Sequence, residues 1–233
     1  MLTYKKILIK FSGEAFGDKG GAIQVSRVNT VVAEIKALRD LGVKVGIVCG
    51  GGNISRWKDN ADKNADRVTV DYKGMKGTLT NVIALEKALK KAKVKVSVSA
   101  SFALAGKYPA FDYKKVKKNW DKGEVIIFAG GTGYPFFSTD MSAVLYSLIL
   151  QADLFIKATK VDGVYSADPT KTKNAKKFAT IPYQRILEKN LAIIDGPAVC
   201  LARDNNLKIK VIKWELGNVV KTVQGKSSGT IIS

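Results

Sequence analysis

The stretch Leu154-Phe155-Ile156-Lys157-Ala158-Thr159-Lys160-Val161-Asp162-Gly163-Val164-Tyr165-Ser166-Ala167-Asp168-Pro169 decides how this chain is read. Its first three residues form a short apolar run bounded by polar ones, as expected of a strand covered on both faces. Lys157 then emerges at the carboxyl end of that strand, and a polar loop follows with lysine, threonine, tyrosine and aspartate at fixed spacing. In open α/β sheets, ligands collect at that end of the strands. Asp162-Gly163 alone would fit a plain turn, so the weight rests on what accompanies it.

Three further apolar runs lead into glycine-rich junctions. Ile7-Leu8-Ile9 precedes Lys10-Phe11-Ser12-Gly13-Glu14, Val45 to Cys49 precedes Gly50-Gly51-Gly52-Asn53, and Val125 to Ala129 precedes Gly130-Gly131-Thr132-Gly133. Glycines let backbone N–H groups approach an anion closely, and each loop precedes a helical pattern whose N-terminus carries partial positive charge. Four such junctions on one rim, two with a lysine, converge on a nucleotide phosphate site. The GxGxxG spacing is missing after Cys49 and no GxxxxGK[ST] element occurs, which removes the dinucleotide-binding and P-loop readings.

Strand and helix patterns alternate along the rest of the chain. A helix capped by Ser26 carries Val28, Val31, Val32, Ile35 and Leu38 at helical spacing and stops at Gly42. The strand Val43–Cys49 follows, then a helix over Arg67–Lys91 whose Gly74 and Gly77 mark a place of close approach. A strand at Val94–Val98, irregular chain near Gly106–Pro109, a lysine-rich helix ending near Gly123 and the strand Val125–Ala129 come next. Ser138 or Thr139 caps a helix running to Ile149. After the opening stretch the spacing predicts a polar loop to about Lys177, helices at Tyr183–Lys189 and Pro197–Asn205, and strands at Ile209–Ile212 and Thr230–Ile232. This alternation implies an α/β fold, three-layer αβα with a central, mostly parallel sheet. No linker interrupts it, so residues 1–233 read as one domain.

Composition narrows the function. The net charge of +19 invites nucleic-acid binding through clusters such as Lys87, Lys90, Lys91, Lys93 and Lys95, or Lys114, Lys115, Lys117 and Lys118. Only six of the 39 basic residues are arginine, however. The charge therefore reads as solvated helix faces without specific nucleic-acid recognition. Cys49 and Cys200 lack metal-ligand spacing and read as core thiols of a reducing, cytoplasmic environment. No apolar run approaches the roughly 20 residues of a membrane span, and Met1 to Lys6 leaves no room for a signal peptide.

With these loops in hand, the chain resembles the amino acid kinase superfamily and, within it, the bacterial uridylate (UMP) kinases. The resemblance runs nearly end to end. It is carried by Lys10 to Glu14, Gly50 to Arg56, Gly131-Thr132-Gly133-Tyr134-Pro135-Phe136-Phe137-Ser138-Thr139-Asp140, the stretch Lys157 to Pro169, and Leu201-Ala202-Arg203-Asp204. It implies phosphoryl transfer from ATP, with Mg²⁺, to UMP. The acceptor-binding part would be roughly residues 1–150 and the ATP-binding part roughly 151–233.

The resemblance also implies roles for individual residues. Lys10 and Lys157 would straddle the ATP phosphates, helped by Phe11, Ser12 and Gly13, with amides of Gly51 and Gly52 and the side chain of Arg56 on phosphate. Thr159, Tyr165 and Asp168 match the adenine and ribose positions. On the acceptor side Asp71 would hold the UMP ribose, and Thr132, Gly133, Tyr134, Pro135, Phe136, Phe137, Ser138 and Thr139 would enclose uracil and sugar. Two alternatives stay open: Lys10 as a solvated strand end, and Phe136 and Phe137 as ordinary core. Asp140 and Asp195 would orient the lysines or the metal. Tyr134 stands where asparagine is common in the family, Gly196-Pro197 where small or aliphatic residues are, and the loop Gly17 to Gly21 is short where the family places a GTP-responsive segment. A homohexamer, with GTP and UTP as effectors, is the expected assembly.

The chain contains no histidine. Hydroxyl acceptors ordinarily call for a base, and histidine is the usual one. A nucleoside monophosphate needs none, because its second pKa near about 6 leaves it mostly dianionic at neutral pH. The same absence argues against superfamily members acting on isoprenoid phosphates. The remaining rivals are a kinase of this fold with a carboxylate or carbamate acceptor, and a lysine-rich nucleic-acid binder.

Overall fold

The computed structural model describes residues 1–18, 20–54, 64–102, 108–167, 169 and 172–233. Its centre is an eight-stranded sheet of order β3-β4-β2-β1-β5-β9-β10-β8. The strands are β1 (Lys6–Phe11), β2 (Lys44–Cys49), β3 (Val96–Ala100), β4 (Val125–Ala129), β5 (Leu154–Thr159), β8 (Thr180–Ile181), β9 (Ile209–Lys213) and β10 (Thr230–Ile232). Pairing is parallel throughout except between β10 and β9. The inner strands β1, β2, β4 and β5 are almost wholly buried, which explains their continuous apolar runs.

Alternate side chains of those strands feed two cores. Ile7, Ile9, Phe11 and Ile47 pack with Val31, Ile35 and Leu38 of α1 (Val25–Asp40), Leu85 of α2 (Arg67–Lys91) and Val219 of α7 (Asn218–Val223). Leu8, Phe128 and Phe155 face the other way, against Trp120 of α3 (Tyr113–Asp121), Val144 of α4 (Thr139–Ile149), Ile186 of α5 (Tyr183–Glu188) and Val199 of α6 (Gly196–Asp204). The three-layer αβα arrangement follows. Lys10 and Lys157 lie two residues beyond Leu8 and Phe155, so strand alternation turns both toward the α4 side.

Several boundaries differ from the sequence reading. Helix α1 starts at Val25, with Gln24 as its cap residue, so Ser26 sits inside the first turn. The cause is local: Gln24 N–H donates to Phe16 O at 2.9 Å and its side chain to Asp18 at 2.6 Å, which fixes the cap two residues earlier. Strand β3 begins at Val96, because Lys93 (φ 59°) and the bond from Val94 N–H to Leu89 O close α2 through residue 94. The loop after β5 contains a small hairpin of β6 (Val164–Tyr165) and β7 (Lys177–Phe178), and α7 has no counterpart in the sequence reading. Cys49 is a core thiol, whereas Cys200 is only partly buried. The expected irregular chain at Gly106 lies outside the described residues.

Candidate active site

The parallel register sets Lys10 directly beside Lys157 on neighbouring strands. Their ammonium groups share one carboxylate. Lys10 Nζ lies 3.1 Å from Asp140 Oδ1, and Lys157 Nζ donates to Asp140 Oδ2 and to the carbonyl of Ile193. Asp140 and Lys157 are 6% and 7% exposed, and the Lys10 side chain 12%, so Lys10 is no solvated strand end. Burial is the largest influence on the Asp140 carboxyl and would raise its pKa, but the two lysines together outweigh it and hold it at about 2. For Lys157 burial also dominates and, with the like charge of Lys10, lowers the ammonium pKa despite Asp140.

Helix α4 delivers Asp140 because Ser138 caps it. The Ser138 hydroxyl accepts from Asp140 N–H at 2.9 Å and donates to Asp195 Oδ2. Asp195 in turn caps α6 by accepting from Ala198 N–H at 2.9 Å, with Pro197 in the first turn, where its missing N–H costs nothing. The positive ends of two helices thus meet over the two lysines, a setting suited to phosphate oxygens.

Two glycine loops form the floor opposite. A Cβ on Gly13 would lie 2.4 Å from Asn53 Oδ1 and 2.8 Å from Gly52 N, so only glycine allows these loops to meet. Asn81 of α2 fixes the second loop. Its Nδ2 donates to Gly50 O at 2.7 Å and to Asn53 Oδ1 at 2.9 Å, while Asn53 Nδ2 donates back at 3.1 Å. Gly51 packs against Gly74 of α2, where a Cβ would come within 2.7 Å of the Gly74 carbonyl, and a Cβ on Gly77 would press on Ile54. Thr78 Oγ1 accepts from Gly130 N–H at 3.0 Å and ties the third loop to the same helix. Asn81, Thr78 and Ile193 were missed in the sequence. Polar residues on the core-facing side of α2 were the available signal for the first two; a backbone carbonyl leaves none.

The remaining residues take several positions. The ring of Phe11 is buried against Phe16 and Trp214, leaving only its backbone toward the loops. Ser12 N–H donates to Ala158 O at 3.4 Å, and Thr159 O accepts from Trp214 N–H at 2.6 Å. Tyr165 donates its hydroxyl to Asp162 at 2.6 Å. Tyr134, Phe136 and Phe137 are 69%, 65% and 46% exposed, which excludes core packing for the two phenylalanines. Thr132 Oγ1 bonds both backbone groups of Tyr134, and Asp71 accepts from Phe136 N–H at 2.8 Å, joining α2 to this exposed loop. Arg56 and Asp168 lie outside the described residues.

Comparison with known proteins agrees with this fold. Residues 5–213 match the amino acid kinase family. The chain is 44% identical over 233 residues to a uridylate kinase of Brucella anthropi, covering 99% of this chain and 97% of the relative. A uridylate kinase of Stutzerimonas stutzeri is 39% identical, with 98% and 94% covered. The crystal structure of a UMP kinase from Bacillus anthracis superposes with a TM-score of 0.93 at 33% identity, covering 99% of this chain and 96% of that one.

Proposed function

The chain belongs to the amino acid kinase family, and from that premise we infer that it is an ATP-dependent UMP kinase, giving UDP and ADP. The observation that carries the reading is the pair of buried, in-register lysines around Asp140, facing glycine loops on one rim of the sheet. In the proposed reaction an oxygen of the UMP phosphate attacks the γ-phosphorus. The bond from that phosphorus to the β–γ bridging oxygen breaks, and ADP leaves with the electron pair. Such a loose transition state needs positioning and charge neutralisation more than a base. Lys10, Lys157 and the N-termini of α4 and α6 supply the positive potential, while Asp140 keeps both ammonium groups aimed while the site awaits its substrates. Gly13, Gly51 and Gly52 offer amides, with Phe11, Ser12 and Arg56 beside the ATP phosphates and Thr159, Tyr165 and Asp168 at the nucleoside. Residues Thr132 to Thr139, with Asp71, hold the acceptor. The ATP part is then roughly residues 151–233 and the acceptor part roughly 1–150.

A divalent metal accompanies ATP in kinase chemistry, and we propose Mg²⁺. Among the described residues no three His, Cys, Asp or Glu side chains converge as a metal cage. Asp140 Oδ1 is the buried side-chain oxygen there without a hydrogen bond, but the Lys10 ammonium lies 3.1 Å from it and Lys157 holds the other oxygen. This donor set fits an ion held chiefly by phosphate oxygens and water, as Mg²⁺ prefers. Bound there it would neutralise charge on the β- and γ-phosphoryl oxygens.

Cytoplasmic location, a homohexamer and response to GTP and UTP complete the proposal by family resemblance. Among the described residues no helix is long and apolar enough to cross a membrane. The test is a coupled ADP-release assay with MgATP and UMP, CMP, dUMP, AMP, GMP or aspartate, with Lys157→Ala as control. Turnover that depends on UMP and disappears in the variant supports the reading; turnover on aspartate alone would keep the family and discard the acceptor.

A further inference from the structure

Asp71 stands one turn after Arg67 on α2, and one of its oxygens carries two bonds. Arg67 Nε donates to Oδ2 at 2.7 Å, and Phe136 N–H donates to the same oxygen at 2.8 Å. Among the described residues Oδ1 takes no hydrogen bond. The Arg67 guanidinium also lies over the Phe136 ring, 5.4 Å from its centroid. Phe136 has φ of 70°, a left-handed conformation that costs energy for an aromatic residue. Its ring is mostly exposed, so packing in the core does not enforce that backbone. The bond to Asp71 and the cation over the ring do.

We propose that Arg67 is a positioning residue that sets the preference of this enzyme for ribose over deoxyribose acceptors. By saturating Oδ2 it fixes the Asp71 carboxylate in one orientation and leaves Oδ1 as the acceptor for a sugar hydroxyl. A substrate lacking that hydroxyl leaves a charged oxygen short of its partner, which is how such sites discriminate. Without Arg67 the carboxylate turns, Phe136 relaxes, and the hydroxyl loses its fixed partner. The inference rests on the reading that Asp71 meets the UMP ribose.

The experiment compares kcat/KM for UMP, 2′-deoxy-UMP and 3′-deoxy-UMP in the parent, Arg67→Ala, Arg67→Lys and Asp71→Asn. The parent should favour UMP over at least one deoxy substrate by about tenfold or more. Arg67→Ala should erase most of that ratio by slowing UMP selectively, and Arg67→Lys, which keeps charge without the planar fork, should erase part of it. An equal fall on all three substrates would make Arg67 a structural support only and overturn the proposal, as would a parent that does not discriminate. Collapse of the ratio in Asp71→Asn with full retention in both Arg67 variants overturns the role of Arg67 alone. An unchanged ratio in Asp71→Asn removes the ribose contact itself, and the proposal with it.

Discussion

Replacing Asp140 by asparagine keeps the shape of the side chain and deletes the one negative charge between two buried ammonium groups. At the 3.1 Å separation from Lys10, each such pair is worth on the order of 5 kcal/mol at an effective dielectric of about 20. Desolvation takes back much of that. The two ammonium groups still hold the Asp140 carboxyl at about 2, below the ordinary 3.8, which corresponds to a remainder of about 2–3 kcal/mol. Two lysines left facing each other add to the loss, so the expected destabilisation is roughly 3 kcal/mol, within the range for breaking a buried pair. For a chain of this size that lowers Tm by roughly 6–12 °C. Saturating MgATP should raise the melting temperature of the variant more than that of the parent, because the phosphates restore negative charge between the lysines. In the coupled assay kcat should drop by about a hundredfold or more while KM for UMP moves less than about threefold. A variant that melts within about 1 °C of the parent and retains more than about a third of its kcat would refute this account of the lysine pair.

Four further outcomes follow from the same geometry. Asp140 has its pKa lowered by folding, so its contribution is complete above about 3.8 and is lost as pH falls toward about 2; unfolding free energies from urea titrations across that window should fall for the parent by about 2–3 kcal/mol more than for Asp140→Asn. Gly13→Ala drives a methyl group into Asn53 and the Gly52 amide and should cost roughly 1–3 kcal/mol, read from the urea midpoint; an unshifted midpoint would show that the loops have slack. Asn81→Ala strands Gly50 O and the Asn53 amide, for about 1–3 kcal/mol and a looser glycine loop, which on the proposed reading is visible as a raised KM for nucleotide. Ser138→Ala removes the hydroxyl joining Asp140 N–H to Asp195 and should cost about 1 kcal/mol and lower kcat more than it raises KM for UMP; Ser138→Thr should restore both, and a Thr variant as impaired as Ala would argue against the hydroxyl.

The layers and the glycine-rich rim were legible because buried parallel strands write themselves as unbroken apolar runs and close backbone approaches as glycines. Lys10 and Lys157 could be placed at strand ends from those runs alone. Their shared burial around Asp140 could not, since it depends on the register between β1 and β5 and on where Ser138 starts α4. The exposed Phe136 reads as core by its chemistry; only the bonds of its loop to α2 turn it outward. Helix α7 is a single short turn system whose N-terminal amides, Gly217 N–H and Val220 N–H, are held by Glu34 of α1. A carboxylate supplied from so far away in the chain leaves no local pattern. Short β6, β7 and β8 are likewise held by tertiary contacts, including the Thr230 hydroxyl that meets Val164 N–H and Phe178 O.

Strand β1 pairs on one edge with β2, which follows it closely, and on the other with β5, which follows only after α1 to α4 and β2 to β4. During synthesis the first edge is satisfied early, whereas the second stays open until residues 154–159 leave the ribosome. A nascent or truncated chain ending before them presents Ile7, Leu8 and Ile9 on an unpaired edge, the kind of surface that recruits other strands or a chaperone. Closure of that edge is the same event that brings Lys157 to Lys10, so a partly made chain lacks the two-lysine centre proposed to engage a triphosphate.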